Sequence, residues 1–252
     1  RESQLAVWQA TTVKELLAQH GYEAELVYIK SEGDIDLKTP LYEMGVQGIF
    51  TRSLDIALLN NTIDIAVHSM KDVPTQLPKR IIQAAVLKRG SAKDLLVFHP
   101  DLEIGKAKTV VDNISIEVKK GKEKRSSFRM PLWDDMALNE FVTIATSSIR
   151  RKAQWLNRSS NDRIEVLRGN VNTRLRKLKE SKWHGAIFAA AGLERIGLRP
   201  ENSIELDWML PAPAQGAIMV ICREEDSYAL DACVLFNDAD TDFCTKIERD
   251  FL

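Results

Sequence analysis

Four strand-like runs in this chain each end in a polar cluster that opens the next helix, and this repeated punctuation points to an open α/β layout. Ile63 to Val67 leads into His68-Ser69-Met70-Lys71-Asp72, and Val142 to Ala145 into Thr146-Ser147-Ser148-Ile149-Arg150-Arg151. Ile164 to Leu167 leads into Arg168-Gly169-Asn170-Val171-Asn172-Thr173-Arg174, and Ala186 to Ala191 into Gly192-Leu193-Glu194-Arg195. In open α/β sheets ligands bind beyond the carboxyl ends of the strands, where helix N-termini present unpaired N–H groups and a positive dipole end. Arginines added at those ends make a cleft for a ligand with several carboxylates or phosphates.

Charge distribution supports this. Residues 141–200 carry 13 Lys or Arg against 4 Asp or Glu, although the whole chain sums to −1. An anionic partner for that segment is one reading. A solvated basic helix face is the other, and it accounts equally well for Arg176, Lys177, Lys179 and Lys182. It fits poorly for arginines at strand ends.

At 252 residues the chain is long enough for two ordinary domains. Apolar positions at helical spacing run from Leu5 to Leu17, with Gly21 as a helix terminator. Glu23 to Ile29 alternates as a strand would, and Ser31 to Gly48 reads as a long loop of the kind that forms lids. Ser53 to Leu59 is expected to be a short helix, and Asp94 to Phe98 a strand. Residues 99–140 break the pattern with the charge run Lys119 to Arg125 and read as an insertion or linker. A nucleic-acid patch there is disfavoured because few aromatic residues interleave the charges. From Phe141 to about Leu198 strands and helices alternate, as in a parallel sheet covered on both faces. Pro211-Ala212-Pro213-Ala214-Gln215-Gly216 is a rigid crossing segment, and Ala217 to Cys222 a strand that can return to the first domain.

The polar clusters suggest distinct chemistries. Ser147 and Ser148 can offer hydroxyls and helix N–H groups to an anion, with Arg150 and Arg151 adding charge; a plain N-cap is the alternative. Arg168 and Arg174 flank a Gly169-Asn170 turn, where Gly169 permits positive φ and Asn170 can cap the next helix. Lys71 and Asp72 differ from the rest. Asp72 would be a carboxylate among cations, suited to stabilising developing positive charge or shuttling a proton. A helix-capping Asp is the simpler alternative. His68 ends an apolar strand and reads as a packed core histidine before a base. Cys222, Cys233 and Cys244 show no metal-ligand spacing with the four histidines and fit a reducing compartment. No apolar run reaches the roughly 18 residues of a membrane span, and no signal-peptide pattern opens the chain. A cytoplasmic protein is expected.

Taken together and in this order, the motifs resemble the hydroxymethylbilane synthase (porphobilinogen deaminase) family. The resemblance rests on His68 to Thr75, Thr146 to Arg151, Leu167 to Arg174, Ala190 to Arg195 and Leu210 to Gly216, with Arg1 to Ala6 and Gln9 similar to the family's first helix. It covers nearly everything except residues 99–140. It implies two doubly wound lobes like those of periplasmic binding proteins and the start of a small α+β third domain. Residues 1–98 with about 205–222 would form the first lobe, 141–204 the second, and 223–252 the start of the third.

The resemblance further implies a cytoplasmic monomer that condenses four porphobilinogen units head to tail, releasing ammonia, on a covalently held dipyrromethane cofactor. No metal, nucleic acid or membrane partner is expected. Arg1, Ser3, Gln9, Ser69, Thr146, Ser147, Ser148, Arg150, Arg151, Arg168, Gly169, Asn170, Arg174, Arg195 and Gln215 would bind cofactor and substrate. Asp72, with Lys71 beside it, would carry catalysis. Gln47 and Ser53 stand where the family usually has lysine and glutamate. The family's cofactor cysteine follows a Glu-Arg-x-Phe-Leu helix, here Glu248 to Leu252, so it is expected beyond Leu252. The competing function is a non-enzymatic two-lobed receptor for a polycarboxylate or oxyanion, or an inactive relative.

Overall fold

The fold, a computed structural model, describes residues 2–30, 51–102 and 142–252. Arg1, Gln47, the expected lid at 31–48 and most of the expected insertion at 99–140 lie outside these residues. Helix α1 spans Gln4–Gln19 and α2 Arg52–Leu59; strand β1 is Ile65–Ser69, followed by a 3-10 turn at Met70–Asp72. Then come β2 (Ile81–Leu87), β3 (Asp94–Phe98), β4 (Thr143–Ala145), α3 (Ile149–Arg158), β5 (Arg163–Glu165) and α4 (Val171–Glu180). The chain continues through β6 (Gly185–Ala189), α5 (Ala190–Glu194), β7 (Ser203–Glu205), β8 (Ile218–Arg223), α6 (Ser227–Val234) and α7 (Ala239–Asp250).

Local chemistry sets the helix ends. The Ser3 hydroxyl accepts from the Ala6 N–H at 3.4 Å at the start of α1. Gly21, at φ +84°, reverses the chain after it, with the Tyr22 N–H donating to the Leu17 carbonyl. Asp226 and Asp238 cap α6 and α7 in the same manner as Ser3 caps α1.

The first sheet has the order β1-β8-β2, with β8 antiparallel to both neighbours. Every residue of β8 is buried, which explains why its sequence is a near-continuous apolar run. Its side chains alternate between two cores. Met219 and Ile221 pack with Leu54 and Leu58 of α2, whereas Val220 and Cys222 pack with Val13 and Leu17 of α1 and Ala229 and Cys233 of α6.

The second sheet has the order β5-β4-β6-β3-β7. The β4 strand is parallel to β5 and β6, while β3 is antiparallel to β6 and β7. Leu95, Val97 and Phe188 pack against Leu178 of α4 on one face, and Leu96, Phe98 and Ile187 against Trp155 of α3 on the other. The molecule is therefore mixed α/β, with two helix-covered sheets.

Strand β8 (Ile218–Arg223) lies between β1 and β2 in the first sheet. Three details differ from expectation. The parallel set β5-β4-β6 is extended by two antiparallel pairings: β3, arriving from β2 of the first sheet, pairs with β6, and β7, arriving from α5, pairs with β3. That puts residues 94–98, expected at the end of the first lobe, in the second sheet. Residues 23–29 carry no strand: Val27 and Tyr28 are more than half exposed, and alternation alone does not provide a neighbour to pair with.

Candidate functional site

The carboxyl end of β1 delivers Lys71 and Asp72 on the 3-10 turn. Arg249 of α7 secures this turn from behind, its guanidinium donating to the carbonyls of Met70 (3.2 Å), Val73 (2.9 Å) and Pro74 (2.5 Å). Asp72 is exposed, while Lys71 is half-buried and donates from Nζ to Gln215 Oε1 at 3.4 Å. Its ammonium sits deep enough that desolvation pushes its pKa down to about 8, against the opposing pull of Asp72. From α1, the buried Gln9 donates from Nε2 to Ser69 Oγ at 2.9 Å, which ties the helix to the end of β1. The buried placement of His68 agrees with its reading as a core residue.

Opposite stand the second-lobe groups. Ser148 caps α3, its hydroxyl accepting from the Arg151 N–H at 3.4 Å, while buried Thr146 accepts from the Ser148 N–H at 3.2 Å. Ser147 Oγ bridges β4 to the chain after β5, donating to the Leu167 carbonyl (2.9 Å) and accepting from the Leu167 N–H (3.0 Å). Asn170 caps α4 through the Thr173 N–H at 2.9 Å, and Gly169 sits at φ +114°. A Cβ at Gly169 would stand 2.7 Å from Thr173 Cγ2. Ser147, Gly169 and Asn170 therefore shape the turns that present the arginines.

The arginines divide into two groups. Arg174 donates from Nε to the Gly169 carbonyl at 2.6 Å, and Arg168 is buried beside it. Burial first, then Arg151, push Arg174 down to about 10, with Asp72 opposing. Arg195 stands apart. It donates to the Gly216 carbonyl at 2.6 Å, lies 5.7 Å from the Trp8 ring centroid, and borders a cavity of about 690 Å³ with Trp8, Arg89 and Asp238. Burial pushes its pKa to about 10 as well.

Arg150 and Arg151 converge on Asp94, a carboxylate the sequence reading did not single out. Asp94 Oδ2 accepts from Arg150 Nη2 at 2.7 Å; Oδ1 accepts from Arg151 Nη2 at 2.7 Å and Nε at 3.1 Å. Arg151 also donates to the Ile187 carbonyl, and Arg150 to that of Leu210. Burial alone would raise the Asp94 pKa, but the charges and hydrogen bonds of Arg151 and Arg150 outweigh it and hold the carboxyl below its usual range. The side chain of Arg150 remains 22% exposed, whereas that of Asp94 is fully covered.

Lys71, Asp72, Asp94, Arg151, Arg168 and Arg174 thus form one electrostatic cluster drawn from both sheets. Its cations exceed its carboxylates, which suits a polyanionic ligand, and Asp72 is the exposed carboxylate among them. Among the described residues there is no group of acidic, His and Cys side chains placed to hold a metal, and no helix is long and apolar enough to cross a membrane. Cys222 and Cys233 are buried in the first-lobe core, and desolvation pushes their thiols up to about 11 and about 12. Cys244 is exposed on α7.

Residues 1–231 match the family described as "Porphobilinogen deaminase, dipyromethane cofactor binding domain". The "Probable porphobilinogen deaminase" of Methanocaldococcus jannaschii is 40% identical over 228 residues, covering 90% of this chain and 66% of that protein. The "Porphobilinogen deaminase" of Acidithiobacillus ferrooxidans is 36% identical over 99% of this chain and 72% of its own length. That of Syntrophotalea carbinolica is 38% identical over 100% and 71%. The chain spans about two thirds to three quarters of the length of these relatives. Among solved structures, the Bordetella pertussis BvgS VFT2 domain superposes with a TM-score of 0.47 at 10% identity over 97% of this chain and 84% of that one, a likeness too slight to argue from. The chain belongs to the porphobilinogen deaminase family, transferases that make hydroxymethylbilane for tetrapyrrole (haem) biosynthesis.

Proposed function

We propose that this chain carries the catalytic lobes of a hydroxymethylbilane synthase that joins four porphobilinogen units head to tail with loss of ammonia. The observation that carries the reading is the exposed Asp72 carboxylate beside Lys71, facing buried and half-buried cations from the opposite sheet. Each porphobilinogen brings an acetate and a propionate, so the growing product is densely anionic. Arg168, Arg174, the exposed edge of Arg150 and Lys71 bind those carboxylates; Ser3, Ser69, Thr146 and Ser148 add hydrogen bonds, and a carboxylate-binding role for Arg1 and for Arg195, which stands apart from this cluster, rests on the family resemblance alone. A family member without catalysis, holding a polycarboxylate as a receptor would, has no use for Asp72.

The excess of partly desolvated cations also fits the dipyrromethane cofactor, whose side chains are carboxylates. When bound, that group supplies the nucleophilic pyrrole carbon on which the first unit is built. Cys222 and Cys233 are sealed in the core with raised thiol pKa values and are poorly suited to carry its thioether, and Cys244, although exposed, lies ahead of Glu248 to Leu252, after which the resemblance to the family implies the attachment cysteine. Asp72 accepts from pyrrole N–H groups and balances the positive charge that develops on the substrate as ammonia departs. The arginines hold the acetate and propionate arms and so orient the reacting carbons. Lys71, near its titration point at about pH 8, supplies a cation at that end of the cleft. We infer a cytoplasmic monomer with porphobilinogen as its small-molecule partner.

Asp72→Asn tests the assignment. It keeps size and loses charge, so ammonia release should fall by roughly 10²- to 10³-fold while bound pyrroles remain visible by intact mass. Unchanged turnover would sink the role given to Asp72; absence of any turnover and any bound pyrrole in the full-length wild-type protein would favour the receptor.

A further inference from the structure

Asp94 is fully buried, opens an otherwise apolar strand, and accepts from three residues on two separate parts of the chain. Two are the α3 arginines. The third is Gln215 Nε2, 2.9 Å from Asp94 Oδ1, on the crossing segment that leads into β8. The same Nε2 donates to the carbonyls of Ala92 at 2.7 Å and Lys93 at 3.3 Å. With acceptors alone around Nε2, the orientation of this buried amide is fixed, and Oε1 must face Lys71. A carbonyl oxygen there favours the ammonium over the amine. A lone carboxylate sealed from water would be costly, and it persists here because two guanidinium groups and one amide share it.

Resting on the deaminase reading, we propose that Asp94 is a positioning residue for the reaction: through Gln215 it holds Lys71 as a cation at the cleft, and through Arg150 and Arg151 it sets the opposing cationic edge. One buried carboxylate thereby registers groups of the two sheets against each other. Among the described residues, the charged groups facing Lys71 are Asp72 on its own turn, Arg151 of α3, Asp94 of β3 and Arg174 of α4. Asp94 favours the protonated lysine, while Arg151 and Arg174 oppose it. Removing the Asp94 charge leaves the opposing arginines less compensated, so Lys71 should lose its proton at lower pH.

The test uses Asp94→Asn and Gln215→Met in the full-length protein. Trace acetylation of Lys71 across pH 6 to 10, read by mass spectrometry, reports its titration whether or not the enzyme turns over. Wild type should show a midpoint of about 8. Each variant should move it down by roughly half to one pH unit, a three- to tenfold loss of the protonated fraction on the alkaline side. The alkaline limb of kcat/KM should move with it. The double variant should move it further than either single change and by less than their sum, because Asp94 acts on Lys71 by its charge as well as through Gln215. A residue that merely stabilised the fold would lower the melting temperature without moving the titration. A folded Asp94→Asn protein with the wild-type Lys71 midpoint overturns the proposal. If that variant does not fold, an unchanged midpoint in Gln215→Met overturns it, and failure of both to fold leaves Asp94 a purely structural residue. Wild-type protein without turnover would instead refute the deaminase reading, and the acetylation result would still stand.

Discussion

The Lys71 ammonium gives up water on entering the cleft and regains only part of that cost from Asp72 and Asp94, so its pKa falls from 10.5 to about 8. The unfolded chain keeps its proton to higher pH than the folded one. Below pH 8 both forms are protonated and the folded state bears the whole penalty. Between about 8 and 10.5 the folded form deprotonates first, and the penalty fades. Lys71→Met should therefore stabilise the protein at pH 7, by about 2 kcal/mol, with the gain shrinking toward pH 10.5. Turnover should be lost at the same time. Urea denaturation at pH 7 and pH 10 measures the sign, and a destabilised variant at pH 7 would contradict it. Lys71 and Asp72 were legible in the sequence because they follow a strand directly in a polar cluster. Asp94 was not, since a single charge at the head of Asp94 to Phe98 looks like a strand boundary. Only the three-dimensional meeting of α3, β3 and the crossing segment reveals it as a shared acceptor.

At the scale of elements, strand ends and helix caps could be read from local chemistry, because Ser148 and Asn170 act within three residues of themselves. Ile81–Leu87 and Ser203–Glu205 went unassigned. The first has no clean alternation and breaks register at a bulge between Gln83 and Ala85; the second is three residues long. Glu23 to Ile29 shows the opposite failure, a strand-like pattern without a strand. Long-range clamps were also invisible. Arg249 lies 175 or more residues from the carbonyls it grips, yet it determines where the Lys71–Asp72 turn sits. Arg249→Leu leaves those carbonyls without their cationic donor and should cost about 1–2 kcal/mol. Turnover should fall about tenfold or more through misplacement of Asp72. Hydrogen exchange at the Val73 N–H, which donates to Met70, should accelerate selectively. Uniform acceleration along the chain would mean that α7 supports the whole lobe and not this turn.

The two sheets are joined by chain segments that touch where Gly90 and Gly216 meet, the Gly90 N–H donating to the Gly216 carbonyl at 2.9 Å. Gly216 sits at φ +89°, and a Cβ there would stand 2.6 Å from the Ser91 carbonyl oxygen and 2.7 Å from that of Gly90. These obstacles are backbone atoms, so no side chain can swing aside. Arg89 and Glu248 brace the same crossing: Arg89 donates to Glu248 and to the Gln215 carbonyl, and Glu248 accepts from the Ala214 N–H. Any relief of the clash would have to part segments that lead into β3 on one side and β8 on the other. Gly216→Ala should thus cost about 3 kcal/mol or more, a fall of roughly 6–12 °C in Tm for a chain of this size. Gly197 is the control, because its φ of +65° is also left-handed but nothing lies within 4 Å of its Cβ position. Gly197→Ala pays only the conformational part, about 1 kcal/mol. Equal losses at the two positions would show that backbone conformation alone sets the penalty. A much larger loss at Gly216 would identify the close crossing as the joint that holds the two sheets, and with them the two sides of the cleft, in register.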